Sequence, residues 1–255
     1  MKKKYILVPD VHGRTFWKDI LPFVDECEKI VFLGDYHDPY DDEGITEADS
    51  LLNFKKIINF VNEHKDKVVM LLGNHDLSYY NRTGDDYWDV HANRMDVSNY
   101  KEIRSIFTEN SGLFSIIHKI EIPEEHRVFL LSHAGVHPLW ITDNKLIDGF
   151  NQTTNASVIY STITELFNEA DRKFRYNLCD IGFTRGGYND VGSMVWADCH
   201  EYMFNKSTPY TQIFGHTQVK EPVITGENIG IDCHKCFYID EEGTLRDLKT
   251  DEEIY

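Results

Sequence analysis

Positive charge is scarce in this sequence. Its 26 lysines and arginines face 43 aspartates and glutamates, a formal net charge of −17. A surface so acidic is a poor match for a long nucleic acid, which proteins hold through rows of basic side chains. A small phosphorylated molecule is not excluded, because bound cations can supply positive charge locally. Long apolar runs are missing as well. After Met1-Lys2-Lys3-Lys4 only a few apolar residues follow, far short of a secretory core or a membrane span. Cysteine is limited to five residues, an odd count in an enzyme-sized chain, so reduced thiols and a cytoplasmic location are expected. Cys233-His234-Lys235-Cys236 has C-x-x-C spacing, but Cys27, Cys179 and Cys199 offer no second pair to complete a zinc site. The pair reads as two thiols at the entrance of a strand.

What is present suits one large domain. A chain of 255 residues with 41% hydrophobic and 27% charged side chains can bury a full mixed core. Short apolar runs rich in branched residues occur at Tyr5–Val8, Ile30–Leu33, Val68–Leu72, Val128–Leu131 and Gln212–Phe214. Continuous runs of this length are expected of strands buried on both faces. Helical spacing covers Glu47 to His64, Asn99–Thr108 and Ser157–Phe174, and a helix capped by Thr15 would have to bend at Pro22. Further strands are expected at Ser193–Ala197, Phe237–Asp240 and Thr244–Leu248, the last two forming a hairpin around Glu241-Glu242-Gly243. The pattern predicts an α/β fold: two mixed β-sheets packed as a sandwich, flanked by helices in four layers. Residues 137–190, with one good helix and no strong strand, read as an insertion over the site.

Each of the five apolar runs ends in a similar polar signal. In order these are Asp10-Val11-His12-Gly13, Gly34-Asp35-Tyr36-His37-Asp38, Gly73-Asn74-His75-Asp76, Ser132-His133-Ala134-Gly135 and Gly215-His216-Thr217. Strand ends of an open α/β sheet converge on one site, and the glycines let the backbone turn tightly there. Asp10, His12, Asp35, Asn74, His133 and His216 then form a mixed carboxylate, imidazole and amide set. Such donors suit borderline divalent ions, namely manganese, iron, zinc, cobalt or nickel. A pair of ions needs a bridging ligand with two donor oxygens. Asp35 is the candidate bridge, with Asp10 and His12 on a first ion and Asn74, His133 and His216 on a second.

The five blocks together resemble the calcineurin-like metallophosphoesterase superfamily, whose motifs read D-x-H, G-D-x-x-D, G-N-H-[DE], H-[AG]-G and G-H. All are present between residues 10 and 217. Gly215-His216-Thr217-Gln218, with no second histidine, and Asn81-Arg82 are most similar to the phosphoprotein-phosphatase branch and its bacterial relatives that cleave dinucleoside polyphosphates. The resemblance implies a two-sheet sandwich and a pair of divalent ions, manganese favoured, on the six residues named above. It implies attack by a metal-bound hydroxide on a phosphate ester or anhydride. It also implies that His75 protonates the leaving group or contacts the transition state, and that Asp38 orients its ring. Asp76 is expected either to support the same imidazole or to anchor the loop.

One departure stands out. Where the phosphatase branch has G-D-x-x-D-R-G, this chain has Gly34-Asp35-Tyr36-His37-Asp38-Pro39-Tyr40, so the arginine that would fork onto phosphate is missing. Arg14, Arg82 and Arg185 are the candidate replacements. His37 and His137 lie near ligand loops. Tyr36, Tyr40, Tyr79, Tyr80, Tyr87 and Trp88 flank them, more as loop padding than as stacking platforms. The expected partner is a small phosphorylated substrate, a nucleotide or a phosphoprotein, with neither a membrane nor a long nucleic acid. Two other readings are a catalytically silent scaffold on the same fold and a nuclease acting on short nucleic acid. The complete ligand set with His75 disfavours the first, and the acidic charge disfavours the second for long chains.

Overall fold

A computed structural model describes residues 3–80, 94–204 and 208–255. Alternation along the strands decides the layering. In β1 (Lys3–Val8), Ile6 and Val8 point to one side and Leu7 to the other, and all three are buried. The same holds for β2 (Lys29–Phe32) and β3 (Val68–Leu71), which run parallel to β1. One face of these strands packs on α1 (Glu47–Glu63) through Leu51, Phe54, Ile57 and Val61. Thr46 caps α1, its hydroxyl accepting from the Asp49 amide at 3.1 Å, which satisfies one of the amides left free in the first turn. The opposite face, through Leu7, Val31 and Leu71, meets Phe129, Leu131, Ile213 and Ile229 of a second sheet. Both faces being apolar is the reason these segments read as unbroken hydrophobic runs.

The first sheet has the order β11-β10-β1-β2-β3-β4, with β4 at Phe114–Ser115 and the hairpin β10 (Phe237–Asp240) and β11 (Leu245–Asp247) antiparallel at its edge. The second runs β5-β6-β7-β9-β8. In it β6 (Arg127–Ser132), β7 (Thr211–Phe214) and β9 (Asn228–Gly230) are parallel, and β5 (Ile117–Ile122) and β8 (Val223–Thr225) form antiparallel edges. The architecture is the expected one, two mixed sheets face to face with helices outside.

Smaller elements complete the chain: α2 (Asn74–Leu77), α3 (Tyr100–Glu109), α4 (Pro138–Asp143), α5 (Ala156–Asn168), α6 (Arg172–Asn177) and α7 (Glu201–Phe204). Phe16–Phe23, with Pro22 inside, is a 3-10 helix. The helix read over Ser157–Phe174 is broken. Ala170 adopts a left-handed φ of 54°, and Asp171 caps a new helix by accepting from the Phe174 amide at 2.6 Å. Residues 193–197 are not a strand, contrary to expectation. Ser193 C=O accepts from the amides of Trp196 and Ala197 at 2.9 and 2.8 Å, closing a turn. All five cysteines are free, and Cys233 and Cys236 sit buried just before β10. No described helix is long and apolar enough to cross a membrane.

Candidate active site

The polar residues that follow the strands converge at one end of the sandwich. Asp10 follows β1, Asp35 follows β2 and Asn74 opens α2 directly after β3. His133 and His216 follow β6 and β7. All five, with His12, are buried. The backbone there is tightly turned: His12, Asp35, Asp38 and His216 have φ of 43°, 52°, 56° and 65°. Left-handed conformations are uncommon outside glycine, and Asp and His are among the side chains that tolerate them. They cost of order 1–3 kcal/mol each and persist where surrounding structure enforces them. Gly73 and Gly215 are required by close approach. A Cβ on the first would run into Asp35 Oδ1, and on the second into Asp10 Oδ1.

Asp35 is the hub. Its Oδ2 faces His12 Nε2 at 3.3 Å and His133 Nε2 at 3.4 Å, while Oδ1 accepts from the His75 amide at 3.0 Å. The other ring nitrogens identify the tautomers. His12 Nδ1 lies against the carbonyls of His37 and Asp38 at 3.0 and 2.9 Å, so it carries the proton and leaves Nε2 with a lone pair. His133 Nδ1 donates to the Leu33 carbonyl at 2.9 Å. Its Nε2 is then surrounded by Asn74 Oδ1 at 3.0 Å and His216 Nδ1 at 3.1 Å, besides Asp35.

So dense a group of lone-pair donors is repulsive unless something positive lies among them. In the bare protein that is a proton. Burial lowers the pKa of His133, but Asp35 and Asp10 outweigh it and push the ring up to about 10. Burial likewise opposes ionisation of Asp35, and His133 and His75 overcome it, holding the carboxyl well below its usual range. His216 is driven well down by burial, Arg185 and His133. A divalent cation fits the same donor set better than a proton, since it engages several lone pairs at once.

Besides a group made of Asp198, Cys199 and His200, the described donors close enough to share an ion fall into two groups at this site, Asp10, Asp35, His133 and His216 in one and His12, Asp35 and His75 in the other. Asp35 is common to these two. Asp10 leans toward the second-sheet histidines, with Oδ1 3.9 Å from His133 Nδ1 and both oxygens 3.0 Å from the His216 amide.

Beside this centre stands an oriented imidazole. His75 Nδ1 donates to Asp38 Oδ2 at 2.8 Å, and Tyr79 Oη donates to the other Asp38 oxygen. His75 Nε2 therefore faces the centre with a fixed tautomer. Asp76 does not touch the ring. Its carboxylate accepts from the amides of Asp35, Gly73 and Tyr36 at 2.7, 2.8 and 3.1 Å, pinning the Asp35 and Asn74 loops together.

The arginines are distributed differently from expectation. Arg14 is forked onto Glu43 at 2.7 and 2.6 Å. Arg185 pairs with Asp198 at 2.8 Å and donates to the Thr217 hydroxyl at 2.8 Å and the His216 carbonyl at 3.3 Å. Arg82 lies outside the described residues, as do His91, Tyr87 and Trp88. Among the described residues, the arginine beside His75 is Arg94, which the sequence reading passed over. Its guanidinium lies 3.6 Å from the Tyr40 ring centroid, Nη2 donates to His75 Nε2 at 3.3 Å, and Nε is buried without a partner among the described residues. The one signal for it in the sequence was the arginine missing after Asp38. His37 pairs with Asp96 at 3.1 Å, and His137 caps α4. Tyr36, Tyr79 and Tyr80 are core residues.

Comparison with known proteins agrees with this geometry. Residues 3–220 match the family model described as calcineurin-like phosphoesterase. The chain belongs to that family and is a phosphoric ester hydrolase. Among solved structures it is similar to a protein serine/threonine phosphatase from Saccharomyces cerevisiae, itself described as similar to human phosphatase PP5. The two share 13% identity with a TM-score of 0.51, over 98% of this chain and 81% of that one, a likeness of fold. No curated protein matches significantly.

Proposed function

We propose that this enzyme hydrolyses a phosphate monoester or anhydride at a pair of divalent cations held by Asp10, His12, Asp35, Asn74, His133 and His216, with Asp35 shared between them. The observation carrying this reading is the single Asp35 oxygen faced by the Nε2 atoms of two imidazoles, next to an imidazole that Asp38 orients. The nitrogen and oxygen donors favour manganese, iron, zinc, cobalt or nickel, manganese first. When bound, the cations supply electrophilic charge to the phosphoryl group and acidify a water for attack.

The protein's own groups do the rest. Asp38 and Tyr79 hold the His75 ring so that Nε2, once freed of Arg94, takes up a proton from water and passes it to the departing oxygen. Arg94, cradled on Tyr40, leaves His75 Nε2 when substrate arrives and forks onto the unesterified phosphoryl oxygens. Arg185 steadies the His216 loop through its carbonyl. Burial of the donors excludes bulk water, which strengthens every charge interaction in the site. A small phosphorylated molecule, nucleotide or phosphoprotein fits this chemistry, and the phosphatase neighbour supports a monoester. Five free thiols fit a reducing compartment such as the cytoplasm. The test is a panel of phosphate mono-, di- and anhydride substrates assayed after chelation and re-addition of manganese, nickel, zinc or magnesium. Turnover restored by a transition metal is expected. Failure of every metal on every substrate would overturn the reading.

A further inference from the structure

Asp232 lies two residues beyond β9, the strand parallel to and paired with β7, whose end carries His216. The ladder continues past β9, with the Ile231 amide donating to the Phe214 carbonyl at 2.8 Å. Asp232 is therefore one more polar residue delivered by a parallel strand end to the same rim. It is 1% exposed, and neither carboxylate oxygen has a hydrogen-bond partner among the described residues. Buried carboxylates are otherwise paired or hydrogen-bonded. Burial together with Asp10 raises its pKa well above the usual range, and Arg14, His133 and Asp35 also act on it. Arg14, the one cation of permanent charge among them, is already forked onto Glu43. Asp232 is also absent from all three groups of donors that lie within 4.8 Å of one another.

We propose that Asp232 is an outer-sphere acid of the cation centre, accepting hydrogen bonds from water held by the cation beside Asp10. This rests on the reading of the site as a cation centre. Outer partners of this kind set affinity and water position without direct ligation, and their loss typically weakens binding by about 10–100-fold. The test is titration of manganese into the metal-free protein by calorimetry, comparing wild type with Asp232→Asn, alongside melting of both metal-free forms. Asparagine keeps the shape of a buried carboxyl group that has no hydrogen-bond partner to lose, so the metal-free variant is expected to melt no lower than wild type, while one of two manganese affinities falls by about 10–100-fold. Unchanged manganese affinities would overturn the role of Asp232 alone. A wild type that binds no manganese would overturn it together with the cation centre itself. Should the variant not fold, a crystal structure of the manganese-loaded wild type decides. A water shared between Asp232 and a cation supports the role, and a carboxylate out of reach of any such water ends it.

Discussion

His12 and His133, which follow strands of different sheets, present their Nε2 atoms to the same oxygen of Asp35, at 3.3 and 3.4 Å. Under the proposed reading, removing the charge of that carboxylate withdraws a donor from both halves of the centre. Asp35→Asn is expected to lower metal content at both positions, measured by elemental analysis of gel-filtered protein. Metal content equal to wild type would remove Asp35 as the bridge.

In the proposed mechanism the oriented imidazole acts on the leaving group, so the effect of its loss should depend on how poor that group is. His75→Ala is expected to reduce kcat on an alkyl phosphate by about 10²–10⁴-fold, with much less effect on a nitrophenyl ester and none on metal content. Asp38→Asn should follow in the same direction. Full activity of His75→Ala on the alkyl ester would refute the assignment.

Arg94 and Arg14 should behave differently although both lie near the site. Arg94 has only Tyr40 and His75 as described partners, whereas Arg14 closes a bidentate pair with Glu43. Arg94→Ala is expected to raise KM and weaken inhibition by inorganic phosphate by about tenfold or more, the size of one charge-assisted contact. Arg94→Lys should recover part of this. Arg14→Ala should mainly lower the melting temperature. Unaltered phosphate inhibition in Arg94→Ala would exclude the contact.

Gly73 leaves no room for a methyl group against Asp35 Oδ1, His133 and the Asp35 carboxyl carbon. Gly73→Ala should displace Asp35, cutting metal affinity more than it cuts metal-free stability. Calorimetric titration beside a thermal melt separates the two effects. Wild-type affinity would show that the loop yields at little cost.

Two histidines away from the chemistry should give the fold its acid sensitivity. Burial, aided by Lys29, lowers His118 to about 4, and burial lowers His137 to about 4. Their unfolded pKa is near 6.5. The unfolded chain therefore binds protons first as pH falls, and stability present above pH 6.5 is lost progressively toward pH 4. Melting of metal-free protein at pH 7.5 and 5 should show this loss, and His118→Gln with His137→Gln should reduce it. An unreduced slope would assign the sensitivity to other groups.

The parts legible in the sequence were those where one force dominates. β1, β2, β3 and β6 are apolar on both faces and β7 ends in Ile213-Phe214, so they stand out as runs, and the short polar blocks after them carry the candidate donors. β5 is an edge strand whose His118, Lys119 and Glu121 are half-buried or exposed, which dilutes the signal. β8 and β9 have three residues each, too few for any period to register. Nothing local announces that Ala170 breaks a helix, or that residues 193–197 turn back on Ser193. Arg94 has no motif spacing, and its placement beside His75 is a purely tertiary result. Asp232 was hidden because the strand that delivers it was hidden.

The donors come from both layers of the sandwich: Asp10, His12, Asp35 and Asn74 from the first sheet, His133 and His216 from the second. Under the proposed reading, cation loading would stitch the two layers at one end, adding to the apolar seam of Leu7, Leu71, Phe129 and Ile213. Any substitution that pries the layers apart, even far from the donors, would be felt first as weakened ion retention, and abundant metal would mask it by mass action.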